Sequence, residues 1–220
     1  MNPNDIYLSF DLDNTLINNH EGIINSFNYA MQQYAKETIP PNYIKRMIGM
    51  PLHEMFAKIL NDSTDKYVDA FREYYGKIGI YQANLINGTK EKLEELKTIG
   101  FHMGLLSSKK HEMVVRIIDI LGISKYFELS LGETKEQKKK YDPIVKSVLT
   151  KKLPGKKIVV IGDHINDVKV AEMLKCPFIG VLTGTTKKRK LKKGISVPCK
   201  ILKSVKKLKP KTIYSLLKKG

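Results

Sequence analysis

Two pairs of aspartates in the sequence each follow an apolar, β-prone run. Asp11 and Asp13 come directly after the first run, and Asp163 and Asp167 come after a later one. Ligands of open α/β sheets bind beyond the carboxyl ends of the strands, so these four carboxylates are expected to meet in one crevice. Carboxylates that meet repel one another, and Mg²⁺, which prefers oxygen ligands, relieves that repulsion. The spacing therefore indicates a magnesium site.

A hydroxyl group stands at the end of a third apolar run, where Ser107 follows Leu105 and Leu106. Taken alone, each of these residues is more often structural, because aspartate and serine favour turns and helix caps. Their order, each just after a predicted strand, favours a common site. With a lysine nearby, a magnesium ion and a hydroxyl donor suit a phosphoryl group, whose oxygens carry negative charge.

The apolar runs alternate with segments of helical period, which predicts a doubly wound, Rossmann-like α/β core with a parallel sheet. The predicted strands are residues 6–10, 101–106, 129–131, 158–161 and 178–182. Residues 16–86 instead contain several short stretches of helical period and no strand signal. We therefore expect a small all-helical domain of residues 16–86, inserted after the first strand into an α/β core of residues 1–15 and 87–220.

The composition is that of an ordinary globular protein. Of the 220 residues, 42% are hydrophobic and 28% are charged, which excludes a disordered chain. The sequence contains no apolar run of about 18 residues, so no transmembrane helix is expected. The first residues lack the layout of a signal peptide, and the two cysteines are too few for a disulfide scaffold. We expect a cytoplasmic protein that does not bind membranes.

The net charge of +17 is concentrated in the last fifth of the chain. From Met173 onward there are 15 lysines and arginines and no acidic residue. Such a stretch is typical either of a surface that binds a polyanion such as nucleic acid or of a solvated face. Tyr214 is the only aromatic residue after Phe178, which argues against stacking on single strands. A nucleic-acid-binding function stays open as an alternative from another class.

Four segments resemble the motifs of the haloacid dehalogenase-like hydrolase superfamily, in its phosphoglycolate-phosphatase-like branch. They are DLDNT at residues 11–15, LLS at 105–107, KYDP at 140–143 and GDHIND at 162–167. The first and fourth are the specific ones, and the resemblance extends from about residue 6 to about residue 182. Tyr141 stands where this family usually has proline, and His164 stands where it usually has a small hydroxyl residue.

The resemblance implies a role for each catalytic residue. Asp11 would attack phosphorus and form an aspartyl-phosphate. Asp13 would protonate the leaving alcohol and then activate a water molecule. Ser107 would donate a hydrogen bond to a phosphoryl oxygen, and Lys140 would offset the negative charge.

The same resemblance implies a Mg²⁺ ion that is held by Asp11, Asp163 and the backbone carbonyl of Asp13. Asp167 would hold the ion through a water molecule or orient Lys140. The alternative for Asp167, a carboxylate that stabilises the start of a helix, stays open.

The helical insert resembles the caps that close over the site in this superfamily, exclude water and select the substrate. Arg46 and His53 flank the segment Gly49-Met50-Pro51, and one of them is expected to contact the leaving group. Ser108 is expected to bind substrate beside Ser107. A surface arginine and a helix-capping histidine fit the sequence equally well.

The function implied by the resemblance is a Mg²⁺-dependent phosphatase that hydrolyses a small phosphorylated metabolite. A phosphoglycolate-like substrate rests on the resemblance alone, because fold does not determine substrate. A sugar phosphomutase of the same superfamily is the alternative, since both kinds of enzyme keep the aspartate at position 13. The protein is expected to be a monomer or a homodimer.

Overall fold

The computed structural model describes residues 1–61 and 63–219. A six-stranded parallel sheet forms its centre, with the strand order β5-β4-β1-β6-β7-β8. The strands are β1 (Ile6–Phe10), β2 (Ile17–Asn18), β3 (Asn84–Leu85), β4 (His102–Lys110), β5 (Leu129–Glu133), β6 (Lys157–Gly162), β7 (Phe178–Val181) and β8 (Cys199–Leu202). This arrangement confirms the predicted α/β class. It also places β1 and β6, the strands that precede the two aspartate pairs, side by side.

Helices cover both faces of the sheet. They are α1 (His20–Gln33), α2 (Pro41–Met47), α3 (Leu52–Ala57), α4 (Asp65–Lys77), α5 (Thr89–Ile99), α6 (His111–Ile120), α7 (Pro143–Lys152), α8 (Ile165–Leu174), α9 (Lys188–Lys192) and α10 (Pro210–Leu217). Side chains of a strand alternate between faces, so Leu8 and Phe10 join the core under α5, α6 and α10, whereas Tyr7 joins the core under α7, α8 and α9. Burial on both faces explains why β1 reads as a continuous apolar run.

Two features of the sheet go beyond the prediction. Strand β8 lies at the sheet edge within the basic region and was not predicted, because Lys200 interrupts its short apolar pattern. Strand β4 extends past its apolar part to Lys110, and its register with β5 shifts between Leu106 and Lys110. Such a bulge turns side chains away from the regular alternation. In β4 the bulge changes the directions of the side chains of Ser107, Ser108 and Lys109.

The insertion after β1 consists mainly of α1–α4, as expected. Its two ends pair as the short antiparallel strands β2 and β3, which were not predicted because two residues carry no periodicity. Aromatic rings fill the interior of the insertion, and the Phe27 and Phe56 rings stack with their centroids 4.1 Å apart. Stacked aromatic pairs add to the stabilisation that burial already gives. The insertion is therefore a packed helical unit on a two-stranded stem.

Close backbone contact between α1 and the turn that follows α4 requires glycine. A Cβ atom added at Gly22 would lie 2.1 Å from the carbonyl oxygen of Gly79, so the backbone would have to move. We expect Gly22→Ala to lower the free energy of unfolding by roughly 1–3 kcal/mol through overpacking. The melting temperature would then fall by several degrees, since about 1 kcal/mol corresponds to ~2–4 °C in a protein of this size.

Gly76→Ala in α4 is the matched control for this prediction. A Cβ atom at Gly76 would meet its nearest neighbour, the Met113 side chain, at 3.8 Å, which is an ordinary contact. Alanine there is expected to keep or raise the melting temperature, because alanine has the better helix propensity. Equal melting temperatures for the two variants would contradict the packing argument.

Candidate active site

The turn after β1 positions the first aspartate pair. The backbone N–H of Asp11 donates to the Ile161 carbonyl at 2.8 Å, which continues the pairing of β1 with β6 past the end of the strand. The amides of Leu16 and Ile17 both donate to the Leu12 carbonyl and close a tight turn. Asn14 has a φ of +60°, a left-handed conformation that asparagine tolerates better than most residues. The turn therefore fixes the direction of both carboxylates.

Three carboxylates converge at the carboxyl ends of β1 and β6. One oxygen from each of Asp11, Asp163 and Asp167 lies within 4.8 Å of the others, and all three residues are buried. The Thr15 hydroxyl lies 3.5 Å from Asp11 Oδ2 and 3.4 Å from Asp163 Oδ1. Residues that are remote in sequence thus share one site.

Glycines allow these carboxylates to approach the backbone closely. A Cβ atom at Gly162 would lie 2.2 Å from the Asp167 carboxyl carbon. A Cβ atom at Gly184, in the loop after β7, would lie 1.8 Å from Asp163 Oδ2. The loop after β7 therefore forms part of the wall of the cluster, a contribution that the sequence did not indicate.

Lys140 is the cation at the centre of the cluster. Its Nζ lies 2.8 Å from Asp11 Oδ1 and 2.6 Å from Asp167 Oδ1, and its side chain is 1% exposed. Of the three consecutive lysines, Lys138 is exposed and Lys139 pairs with Glu54 at 2.7 Å. Lys140 is therefore the one of these three lysines that contacts the carboxylate cluster.

Asp167 combines the two roles that the sequence left open. Its Oδ2 accepts a hydrogen bond from the His164 backbone N–H at 2.9 Å and completes a capping box at the start of α8. Its Oδ1 contacts Lys140. The residue is thus both a helix-start carboxylate and a partner of the buried lysine.

The protonation equilibria in the cluster are strongly shifted. Burial, together with the nearby Asp167 and Asp13 carboxylates, raises the pKa of Asp11 to about 7 despite the opposing effect of Lys140. Burial and the neighbouring Asp11 and Asp167 likewise raise the pKa of Asp163 well above its usual value. Burial alone would lower the pKa of Lys140, but the Asp11 and Asp167 carboxylates outweigh it and raise the pKa.

Three buried carboxylates beside one lysine leave an excess of two negative charges when all are ionised. Buried charge without a partner is costly, and a hard divalent cation with oxygen ligands would offset it. The donor set, with its shifted equilibria, therefore fits Mg²⁺. Burial first, and the neighbouring carboxylates second, raise the pKa values of Asp11 and Asp163.

The bulge in β4 turns three consecutive residues towards the cluster. The buried Ser107 Oγ accepts a hydrogen bond from the Lys109 backbone N–H at 3.2 Å, which leaves its hydroxyl hydrogen free to donate. Ser108 Oγ lies 3.5 Å from the Gly49 carbonyl of the insertion. Both serines line a cavity beside Asp11. The hydroxyls therefore face the same space as the first carboxylate.

Lys109 is a site residue that the sequence reasoning missed. Its Nζ lies 3.3 Å from Asp13 Oδ2 and 3.2 Å from the Tyr75 hydroxyl. Burial opposes the charge, yet Asp13 and Tyr75 together raise the pKa of Lys109. The only sequence signal was its position two residues after Ser107.

Asp13 is held by groups from the insertion as well as by Lys109. Asn19 Nδ2 donates to Asp13 Oδ1 at 2.7 Å and also lies 3.3 Å from the Tyr75 hydroxyl. Unlike the three clustered carboxylates, Asp13 is 13% exposed at its side chain. It therefore stands between the cluster and the insertion, where a leaving group would be.

The insertion closes over the carboxylate cluster through several polar contacts. The Gly49 carbonyl accepts a hydrogen bond from Asn166 Nδ2 at 3.1 Å. Arg72 of α4 pairs with Glu133 of β5 at 3.0 Å. A cavity of about 70 Å³ remains between insertion and core, with Asp11, Asp13 and Lys140 at one end.

Arg46 and His53 lie elsewhere. Arg46 is exposed, and neither side chain lines the cavity. His53 Nδ1 lies 3.0 Å from the Thr64 hydroxyl, just before α4. Gly49 and Met50 do line the cavity, so the segment between the two residues faces it. Contact of Arg46 or His53 with a leaving group stays a prediction that this geometry does not favour.

The basic residues of the last fifth of the chain lie on the surface. All 15 lysines and arginines from Met173 onward are exposed, and none forms an ion pair with another residue in the part of the chain that the structure describes. They flank the edge strand β8, with α9 on one face of the sheet and α10 on the other. Within residues 1–61 and 63–219, no helix has the length and apolar character to span a bilayer.

Several known proteins are similar to this chain. The phosphoglycolate phosphatase of Aquifex aeolicus (strain VF5) is 28% identical over 166 residues, which is 74% of this chain and 78% of that protein. The pyrophosphatase PpaX of Listeria monocytogenes serotype 4a (strain HCC23) is 27% identical over 180 residues, or 79% and 82% of the two chains. A predicted phosphatase from Clostridium acetobutylicum has a similar structure, with a TM-score of 0.83, 26% identity and coverage of 97% and 98%.

The family itself is shown by a match over most of the chain. The sequence description of the haloacid dehalogenase-like hydrolases matches residues 8–181. That range begins in β1 and ends with β7, so it includes all three clustered carboxylates, Lys140 and the helical insertion. This protein therefore belongs to the haloacid dehalogenase-like hydrolase family.

Proposed function

We propose that this protein is a Mg²⁺-dependent phosphatase that hydrolyses a small phosphate monoester through an aspartyl-phosphate on Asp11. The observation that supports this best is the buried cluster of Asp11, Asp163 and Asp167 around Lys140, with Asp11 lining a cavity between the insertion and the core. The family is one of hydrolases, and its named relatives include phosphatases.

Asp11, Asp163 and Asp167 would hold the metal ion, with Asp167 in direct contact or through water. When bound, Mg²⁺ would supply positive charge that offsets the carboxylates and the phosphoryl oxygens. The Thr15 hydroxyl lies close to both Asp11 and Asp163 and would hold the Asp163 carboxylate towards Asp11. These residues need only small movements to share an ion, because their oxygens already lie close together.

In the first step an Asp11 oxygen forms a bond to phosphorus while the bond from phosphorus to the leaving oxygen breaks. Asp13 gives its proton to that leaving oxygen, which departs as an alcohol. In the second step Asp13 takes a proton from water, whose oxygen attacks phosphorus and releases Asp11. Lys109 and Asn19 hold the Asp13 side chain between the cluster and the cavity.

The remaining polar groups would bind the phosphoryl oxygens. Lys140 reaches Asp11 from the side of Asp167 and can shift its contact from a carboxylate to a phosphoryl oxygen. Ser107 has a free hydroxyl hydrogen at the cavity wall, and Ser108 lies beside it. Fixed donors of this kind stabilise charge that develops in the transition state.

Asp13→Asn tests this function with p-nitrophenyl phosphate as the substrate. Its leaving group departs as a stable anion, so the first step needs no acid, whereas the second step still needs a base. We expect a burst of p-nitrophenolate close to one equivalent of enzyme, followed by turnover slowed by about 10²–10⁴-fold, the usual contribution of a positioned base. Rapid mixing with Mg²⁺ measures both phases.

Asp119→Asn, at an exposed position on α6, serves as the control and should match the wild type. Absence of Mg²⁺-dependent phosphate release by the wild type would overturn the proposed function. If Asp13→Asn turned over the substrate at the wild-type rate and without a burst, only the proposed role of Asp13 would be overturned.

Two alternatives from the sequence stay predictions. A sugar phosphomutase would use the same aspartates, and product analysis separates isomerisation from phosphate release. Nucleic-acid binding by the basic surface is consistent with its exposed charges, and it would be strongly salt-dependent.

A further inference from the structure

Resting on the proposed function, we infer that the preferred leaving group is a neutral, apolar alcohol and not one that carries its own carboxylate or second phosphate. The inference concerns the part of the cavity that lies beyond Asp13, between the insertion and the core. Two independent features of that part point the same way: its apolar wall and the pairing of its cations.

Apolar side chains form most of the wall that faces a leaving group. They come from α1, from the segment around Gly49, from α3 and α4, and from α6 of the core. They include Ile23, Ile48, Met50, Leu52, Phe71 and Met113. A hydroxyl-rich or charged leaving group would lose its hydration against this wall and gain few partners. An alkyl or aryl group would instead bury apolar surface there.

The cations that line the same space are already paired with carboxylates. Lys109 contacts Asp13 at 3.3 Å. Arg72 contacts Glu133 at 3.0 Å, and the Glu133 side chain is only 10% exposed. Lys110 contacts Glu112 at 2.8 Å. An anionic leaving group would have to displace one of these carboxylates or approach the buried Glu133, and like charges in such a place repel strongly.

The cavity offers room for a short leaving group. Its inner space is about 70 Å³ and is partly open to solvent, so a longer or aromatic group can extend outwards. Methionine side chains are flexible and adapt to irregular shapes, so the wall can close on chains of differing length. A leaving group of a few carbon atoms fits this space.

A series of n-alkyl phosphates from methyl to butyl phosphate tests the inference, because their leaving alcohols have similar reactivity. Burial of each added methylene group is expected to raise kcat/KM by about fourfold until the cavity is full. Propyl phosphate should exceed 2-phosphoglycolate by about tenfold or more in kcat/KM, since the carboxylate of 2-phosphoglycolate brings extra charge into the apolar space. Phosphate release with Mg²⁺ gives all these values in one assay.

Met113→Gln supplies the matched variant, because glutamine has nearly the shape of methionine but is polar. In this variant the increase in kcat/KM for each added methylene group should fall to less than about twofold, because the added apolar surface of the substrate would contact an amide. Met173→Gln, a similarly half-buried methionine on α8 outside the cavity, should keep both the activity and the gain.

Binding to the Asp11→Asn variant gives a second readout that does not depend on turnover. Calorimetry should show a heat capacity change that becomes more negative from methyl to butyl phosphate, as burial of apolar surface requires. A flat alkyl series, or faster hydrolysis of phosphoglycolate than of propyl phosphate, would overturn the inference and leave the phosphatase function intact. Hydrolysis of none of these esters would overturn the inference, and the phosphatase function falls with it only if p-nitrophenyl phosphate is not hydrolysed either.

Discussion

Replacement of Asp11 by asparagine is expected to abolish phosphate release and, at the same time, to stabilise the metal-free protein at about pH 8. The loss of activity should be on the order of 10⁴-fold or more, because the variant lacks the nucleophile of the proposed reaction. The gain in stability follows from the burial of Asp11 beside Asp163 and Asp167. An amide at this position removes one of three buried negative charges while it keeps the shape of the side chain.

The pH dependence gives the sign and size of the stability effect. The pKa of Asp11 is raised by burial from 3.8 to about 7 in the folded protein. Between these values the folded state binds a proton that the unfolded chain has released, so this contribution to stability is present at about pH 4 and is lost as the pH rises through about 7. The full difference corresponds to about 4 kcal/mol, or roughly 10 °C in melting temperature.

Thermal unfolding in the presence of a metal chelator measures this effect. The wild type should melt at a lower temperature at about pH 8 than at about pH 5, and Asp11→Asn should reduce that difference. Saturating Mg²⁺ should raise the melting temperature of the wild type more than that of Asp11→Asn, because ligands stabilise the state that binds them. Asp69→Asn, on an exposed part of α4, should behave as the wild type. A metal-free wild type that becomes more stable towards pH 8 would contradict this account.

Replacement of Lys140 by methionine is expected to cause the largest loss of stability of any single change considered. Lys140 is buried and contacts Asp11 and Asp167 at 2.8 and 2.6 Å. Removal of one partner from a buried ion pair leaves uncompensated charge and typically costs about 3–5 kcal/mol. The melting temperature should fall by roughly 10 °C, and phosphate release should be lost with it.

A double variant separates the charge effect from a simple packing defect. Lys140→Met combined with Asp11→Asn should be less destabilised than Lys140→Met alone, because the second change removes one of the charges that the first left unpaired. Lys138→Met, at the exposed neighbour, should melt like the wild type. The gain in stability from Asp11→Asn should be larger in the Lys140→Met background than in the wild type. Equal gains in the two backgrounds, or equal stability of Lys140→Met and the wild type, would refute the proposed pairing.

Local sequence was sufficient for the strands and for the residues that leave them. The runs before Asp11 and Asp163 are continuous and apolar because β1 and β6 are buried on both faces, and that pattern needs no knowledge of the partner strand. The polar turn after each strand is equally local. Shorter elements escaped detection: β2 and β3 have two residues each, and β8 carries a lysine in its middle.

The composition of the site depended on contacts between remote residues. That β1 and β6 are neighbours decides that their aspartates meet, and the strand order is a property of the whole sheet. Lys140, which the KYDP segment indicated, is buried between Asp11 and Asp167, whereas Lys138 is exposed, and these contacts belong to the tertiary structure. Lys109 reaches Asp13 because a register shift in β4 redirects its side chain.

The sequence by itself therefore determined the α/β class, the helical insertion and the aspartates that follow the strands, because strand burial and turn chemistry act over a few residues. The roles of Asp11 as nucleophile and of Lys140 beside it were implied only by the family resemblance. Only the tertiary structure decided that Lys109 contacts Asp13, that Arg46 and His53 stay outside the cavity, and that apolar side chains line it. Those outcomes depend on how the insertion packs on the core. Packing brings together side chains that are far apart in the sequence, and no local pattern predicts which of them will meet.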